Sequence, residues 1–246
     1  FNDLNSYYLV QSKSQERFYR KYLQGKVKGI LQGIRMEHVP FSSQSFRNTI
    51  TADLKLNFHQ QLKRAGVQDY LLILSKISRR KGQLTAINLS KELGIPLVIA
   101  GEPKNDYNGA LEISVDYFNY EIKPRIDNKN VFYFGNAGET EKYELMKYAR
   151  AFILPTGFED DWWREAFGRV VAESLATGTP VVAHRNGAMD EQIVGGKNGF
   201  LFATYDEALE KLKRTANLSR ELCRKSAKEA LSARRYVTDC LAWFGE

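Results

Sequence analysis

From residue 65 onward the chain alternates short, uninterrupted apolar runs with stretches in which apolar residues recur at helical spacing. Tyr70-Leu71-Leu72-Ile73-Leu74, Pro96-Leu97-Val98-Ile99-Ala100, Val131-Phe132-Tyr133-Phe134-Gly135, Ala151-Phe152-Ile153-Leu154, Val181-Val182-Ala183 and Gly199-Phe200-Leu201-Phe202 read as strands. Continuous apolar runs mark strands buried on both faces. Between them, Leu84, Ile87, Leu89 and Leu93 predict one helix, and residues 141 to 149 a second. Phe167, Val170, Val171, Ser174 and Leu175 predict a third, which Gly178 and Pro180 end. Residues 112 to 123 suit a helix or an irregular crossover. Strands alternating with helices over residues 65 to 215 predict an α/β fold with a doubly wound, mostly parallel sheet.

The flanks read differently. Residues 7 to 11 suit a strand, Ser12 a cap for a helix holding Phe18, Tyr19 and Tyr22, and residues 26 to 31 another strand. Gly33 and Pro40 punctuate a connection, residues 41 to 51 suit a linker, and residues 52 to 64 a helix. Residues 206 to 244 suit two helical segments divided near Asn217.

Composition narrows the class. With 246 residues, 43% hydrophobic and 26% charged, a soluble globular protein with a real core is expected. No run approaches the length that crosses a bilayer, and Phe1-Asn2-Asp3-Leu4 resembles no signal peptide, so a cytoplasmic location is expected. The net charge of +7 favours an anionic partner: a nucleotide diphosphate, a nucleic acid or an acidic membrane face. Cys223 and Cys240 lack metal-like spacing and are expected to be inert packing thiols. Among the scattered histidines, His184 follows a strand and borders the candidate site, although a lone histidine is more often structural.

The candidate chemistry sits in loops that follow strands, where parallel sheets bind ligands. The first loop, residues 75 to 82, carries Lys76, Arg79, Arg80 and Lys81. Lys76 and Lys81 are candidate phosphate ligands; a merely basic, exposed turn fits the same residues. The second, residues 135 to 138, contains Gly135, Asn136 and Gly138. The third, residues 157 to 168, runs through Asp160, Asp161, Trp162 and Trp163 to Glu165, Phe167 and Gly168. A helix start leaves its first amides unpartnered, so the N–H groups near Gly168, Arg169 and Val170 suit a phosphate. Glu173 lies inside that helix, about 8 Å further along. Carboxylates accept hydrogen bonds from sugar hydroxyls, which favours a nucleotide sugar over a bare nucleotide. Acids at a solvated helix start are also common for dipole reasons, and spacing alone does not choose. No P-loop and no Gly-x-Gly-x-x-Gly follows a strand, which argues against ordinary ATPases and dehydrogenases.

Glu165 and Glu173, with seven residues between them and Phe167-Gly168 inside, resemble the signature of retaining glycosyltransferases with the two-domain GT-B fold. That group includes sucrose synthases and bacterial mannosyl- and glucosyltransferases. Ser75-Lys76 with Lys81-Gly82 is similar to its Gly-Arg and Lys-Gly segment, and Leu154-Pro155-Thr156 to its Pro-Ser. Gly178-Thr179-Pro180-Val181-Val182-Ala183, then Gly187 and Glu191, is similar to the segment that follows. The resemblance covers residues 65 to 205 in order.

It implies a Rossmann-like donor-binding domain that moves a sugar from a nucleotide diphosphate sugar, such as a UDP- or GDP-sugar, to an acceptor hydroxyl with retention. It implies that Glu165, Lys81 and Lys76 carry catalysis, without assigning Glu165 as a base. Glu165 would face the donor sugar and Glu173 hold the ribose hydroxyls. Phe167, Gly168 and the amides of Arg169 and Val170 would line sugar and diphosphate; Ser75 would border the phosphate, and Gly135 and Asn136 the base. No metal or other cofactor is expected. Two departures stand out: Lys76 replaces the usual arginine, a point charge for a bidentate fork, and Ser75 replaces the usual glycine.

The length also departs from the family. Residues 1 to 36 resemble only the last strand, helix and strand of an N-terminal acceptor domain, with Gln32-Gly33-Ile34 near its hinge. The expected division is residues 1 to 45 as remnant and hinge, 46 to 215 as donor domain and 216 to 246 as terminal helices. A fragment or separately completed subunit is expected, whose activity alone is left open, and self-association through the first strand and Trp243 and Phe244. Partners are a nucleotide sugar and a sugar, lipid or other hydroxyl acceptor, with peripheral membrane contact left open. The rivals are a non-catalytic nucleotide-sugar module, an epimerase or phosphorylase on the same fold, and a basic nucleic-acid binder. The acidic residues 159 to 165 argue against the last, since they repel phosphates at that edge.

Overall fold

Alternation along the strands sends successive side chains to opposite faces of one sheet, and that single fact builds two cores. A computed structural model describes residues 6–46, 57–103, 114–159 and 163–245. Six parallel strands form the main sheet: β3 (Leu71–Leu74), β4 (Leu97–Ala100), β5 (Val131–Gly135), β6 (Ala151–Leu154), β7 (Val181–His184) and β8 (Gly199–Phe202). Their spatial order is β5-β4-β3-β6-β7-β8. Leu71, Ile73, Ile99, Ile153 and Val182 point into a core closed by helices α3 (Gln83–Leu93) and α8 (Tyr205–Arg214). Leu72, Val98, Phe152, Val181 and Ala183 point into the other, with α5 (Glu139–Tyr148), α6 (Arg169–Thr177) and α9 (Arg220–Ala230). The predicted doubly wound α/β sheet is therefore present, and every strand pair in it is parallel.

Ahead of this unit, β1 (Tyr7–Val10) and β2 (Lys26–Gly29) form a separate two-stranded parallel sheet around helix α1 (Lys13–Tyr19). Ser12 caps α1, as its sequence position predicts. The Glu191 carboxylate accepts from the N–H groups of Lys13 and Ser14, both at 3.0 Å, and so joins this small unit to the main sheet. Helix α2 (Asn57–Arg64) matches the described part of the helix expected from residue 52. Residues 47–51 of the expected linker, residues 52–56 of that helix, and 112 and 113 of the crossover lie outside the described residues. The rest of that crossover is a single turn, α4 (Ser114–Asp116), continuing into a π-helical stretch over Tyr117–Ile122 and a 3-10 turn at Lys123–Arg125. A four-residue helix, α7 (Met189–Gln192), precedes β8.

One boundary differs from expectation. The terminal region holds three helices rather than two, since α10 (Ala233–Phe244) is separate from α9. Between them the backbone leaves the helix to pair with the segment at Ile34, whose N–H donates to Leu231 O and whose carbonyl accepts from Ala233 N–H, each at 2.8 Å. Hydrophobic periodicity runs through this break and cannot show it. Trp243 reaches back to Tyr7, with ring centroids 5.8 Å apart, while Leu241 and Phe244 stay exposed. Arg220 and Arg224, on α9, fasten the connection after Ile34. Arg220 donates to Ser42 O, Ala149 O and Thr179 Oγ1, and Arg224 to Met36 O, Val39 O and Ala176 O. Burial draws the Arg220 guanidinium down to about 10 and pushes the Cys223 thiol up to about 12, leaving Cys223 an unreactive packing group.

Candidate active site

Strands β3 and β6 are neighbours, yet the helices that follow them, α3 and α6, pack on opposite faces of the sheet. Their connections must diverge, which opens a crevice beyond the strand ends; in doubly wound sheets ligands bind at such a point. The loop after β3 is organised by the buried side chain of Gln83. Its Nε2 donates to Ser75 Oγ at 3.0 Å and Lys76 O at 2.9 Å, and its Oε1 accepts from Ser78 N–H. Arg79–Lys81 then form a 3-10 turn, and Gly82 enters α3 at φ +74, where a Cβ would lie 2.7 Å from Pro155. The two loops are also bonded directly, since Gly157 N–H donates to Arg80 O at 2.8 Å. The Arg80 guanidinium stacks 4.5 Å over the Trp163 ring.

This arrangement brings Lys81 Nζ to 2.7 Å from Glu165 Oε2, across 84 residues of sequence. The acid's backbone is clamped from β7. Asn186 Oδ1 accepts from Glu165 N–H, its Nδ2 donates to Trp163 O at 2.8 Å, and Glu165 O accepts from Ala188 N–H at 2.9 Å. Gly187 approaches so closely that a Cβ there would lie 2.0 Å from Glu165 O. His184 donates from Nδ1 to Thr156 O and stacks edge-on against Phe158, which is a structural role at the end of β7.

Gly168 opens α6 at φ +77 with no side-chain cap, so the first-turn amides of Arg169 and Val170 have no intrahelical acceptor. Phe167 is buried, and its carbonyl accepts from Gln192 Nε2. Arg169 is exposed, whereas Glu173, one turn on, is only 4% exposed. Glu173 pairs with Lys142 of α5, whose Nζ lies 2.8 Å from Oε1 and 4.5 Å from the centre of the Tyr143 ring. Burial, aided by Glu173 and Glu139, pushes the Tyr143 phenol up to about 12, so it remains a donor at any ordinary pH. These residues face a cleft of about 810 Å3 whose other wall carries Gly33, Arg35 and His38.

The structure thus gathers Lys81, Glu165, Phe167 and Gly168 at the crevice, and Arg169 and Glu173 at the adjoining cleft. Lys76 is half-buried in the loop between β3 and α3. Ser75 is engaged by Gln83, so its hydroxyl ties the loop together. Gly135 and Asn136 end the edge strand β5, but on that side Glu139, Thr140 and Lys142 line the cleft instead. Asp160, Asp161 and Trp162 lie outside the described residues. Sequence reasoning missed Gln83, Lys142 and Asn186 as site residues, because their work is done by contacts to residues far away in the chain. Only the placement of Lys142 in the first turns of a helix after a strand carried a signal.

A family model described as glycosyl transferases group 1 matches residues 55–232. The chain belongs to this family. A glycogen synthase of Mycobacterium tuberculosis is 27% identical over 143 residues, covering 56% of this chain and 31% of that protein. Among solved structures, sucrose-phosphate synthase from Thermosynechococcus elongatus superposes with a TM-score of 0.72 at 16% identity, covering 98% of this chain and 58% of that one. Anabaena Alr3699/HepE in complex with UDP and glucose gives 0.72 at 17% identity, covering 97% and 62%. These likenesses establish the Rossmann-like half of a GT-B fold. The chain spans about a third of that curated relative and about three fifths of the two structural neighbours.

Proposed function

We propose that this chain is the donor-binding half of a retaining glycosyltransferase, taking a nucleotide diphosphate sugar at the crevice between β3 and β6. The observation that carries the reading is the Lys81–Glu165 pair at 2.7 Å, set directly before an uncapped helix start. A cation beside open amides receives a diphosphate, and the acid beside it faces the attached sugar. Glu173 and Lys142 offer an acceptor and a donor to the ribose in the adjoining cleft, and a neighbour of the same fold solved in complex with UDP and glucose supports a nucleotide sugar as the donor.

In the transfer, the bond from the anomeric carbon to the diphosphate oxygen breaks, and the acceptor oxygen bonds to the same face of that carbon. Negative charge grows on the departing phosphate. Lys81, Lys76 and the amides of Arg169 and Val170 stabilise that charge more than the ground state, which is how they lower the barrier. Glu165 is already ion-paired, so it is poorly placed as a base; the acceptor proton passes to the departing phosphate oxygen. Retention follows from this same-face geometry. No metal is required for the charge these groups neutralise.

Calorimetric titration of UDP into wild type and Lys81→Ala tests the reading. Wild type should bind, and the variant should lose affinity by about tenfold or more; equal affinities would refute the assignment. Proton NMR of the product formed with a hexose donor should then show an unchanged anomeric configuration. Binding without any turnover, in the presence of acceptors, would mark a non-catalytic nucleotide-sugar module.

A further inference from the structure

The loop that bears Glu165 borders a second cleft, of about 590 Å3, on its other flank. One wall is α1 and the turn after it, with Arg17, Phe18, Tyr19 and Lys21; the other is the segment from Trp163 to Ala166. The two clefts have no lining residue in common: Glu165 and Ala166 border this one, Arg169 and Glu173 the nucleotide cleft. A molecule seated between α1 and Trp163 therefore meets the donor site at Glu165, the end of the donor opposite its nucleoside.

The charges in this cleft are unbalanced. Arg17, Lys21 and Arg164 supply three cations, and Glu165 the one acid. That acid is already neutralised by Lys81 at 2.7 Å, so it does not offset them. Arg20, by contrast, is committed to structure: it pairs with Glu16 at 2.6 Å and donates to Val27 O at 3.0 Å. The ion pairs among the described residues include none to Arg17, Lys21 or Arg164. The main chain is not the anion receptor here, because the opening amides of α1 are taken by the Glu191 carboxylate. What remains is a set of exposed side-chain cations around an aromatic surface. Phe18 is 53% exposed, and its ring lies 5.3 Å from that of Tyr19 and 5.2 Å from that of Tyr22. Exposed rings offer a flat apolar face to the less polar side of a sugar or polyol, while neighbouring cations select a charged substituent.

We propose that this cleft is the acceptor subsite, and that the acceptor is anionic: a sugar or polyol carrying a phosphate or a carboxylate. Arg17, Lys21 and Arg164 hold the anionic group, Phe18 and Tyr19 the ring, and the free hydroxyl faces Glu165. The assignment rests on the glycosyl-transfer reading, because Glu165 is what relates the cleft to a donor sugar.

Two binding measurements on the same protein test it. Glucose, glucose 6-phosphate and glucuronate are titrated in turn, and UDP separately. The two anionic sugars should bind about tenfold or more tightly than glucose, and the double variant R17Q/K21Q should lose that preference while keeping its affinity for UDP. Arg17→Lys with Lys21→Arg should restore it, which an unfolded variant could not do. Equal affinity for charged and neutral sugars, or a preference that survives R17Q/K21Q, overturns the acceptor assignment and leaves UDP binding intact. Failure of the wild-type protein to bind UDP, with its preference for anionic sugars present and abolished by R17Q/K21Q, would instead sink the transferase reading, with the cleft remaining an anion site. The glucose 6-phosphate and glucuronate arms distinguish a phosphate from a carboxylate substituent.

Discussion

Lys142 Nζ sits 2.8 Å from Glu173 Oε1, and the Glu173 side chain is almost wholly removed from solvent. A buried carboxylate of this kind is stable only while paired, since desolvation penalises the charge. Lys142→Ala should therefore lower stability by roughly 2–4 kcal/mol, measured by urea denaturation, because it leaves the acid buried and alone. The double variant K142M/E173M should recover most of that loss. If K142A melts like wild type, the pair carries no structural weight.

The second ion pair predicts an opposite pattern for binding and turnover. Glu165 holds Lys81 in the crevice, so Glu165→Gln releases the ammonium for a phosphate. UDP should bind about fivefold more tightly in this variant, while turnover of a nucleotide sugar falls on the order of a hundredfold. Calorimetry and a product assay on the same preparation separate the two effects. Weaker UDP binding would contradict the competition.

Two glycines with nearly equal φ isolate a steric effect. Gly94 has φ +64 with open space around it, whereas Gly187 has φ +63 and would carry its Cβ 2.0 Å from Glu165 O. Gly94→Ala should cost about 1 kcal/mol, the ordinary penalty for a left-handed alanine. Gly187→Ala should cost more than twice as much and displace Glu165, so thermal melting and UDP affinity both fall. Equal losses in the two variants would show that the close approach relaxes freely.

Acid should weaken the fold through His59. Its ring is fully buried among Phe46, Tyr70 and Tyr148, with Nε2 3.2 Å from Tyr70 Oη. Burial first, then Lys147 and Lys63, draws its pKa from 6.5 to about 4. The unfolded chain binds this proton below 6.5 and the native chain only near 4, so stability is full above 6.5 and falls with pH across that window. The loss approaches roughly 3 kcal/mol at the acid end. Urea midpoints from pH 7 to 4 for wild type and His59→Phe check it: the variant's curve should be flatter by this contribution.

The strands, the parallel sheet and the acid-glycine-acid stretch were legible because each is local: an apolar run, a period, a spacing. The two-face burial follows from counting alternate residues in Leu71–Leu74. What stayed hidden depends on partners remote in sequence. Lys142 reads as one more helix lysine until the sheet order sets α5 beside α6, and Asn186 as a turn residue until it clamps Trp163 and Glu165. The break between α9 and α10 was masked because Ile34, nearly two hundred positions earlier, supplies its cause.

That pairing of Ile34 with Ser232 has a mechanical result. The polypeptide crosses between the small β1–β2 unit and the main sheet twice at one place, once near Gly33 and once near Ala233. Two adjacent crossings that are hydrogen-bonded to each other brace one another, since displacing either strains the bonds at Ile34. Gly33, Ile34, Arg35 and Ala233 also wall the cleft of about 810 Å3, so whatever fills that space touches both crossings. A ligand held against both at once adds its binding free energy to that brace.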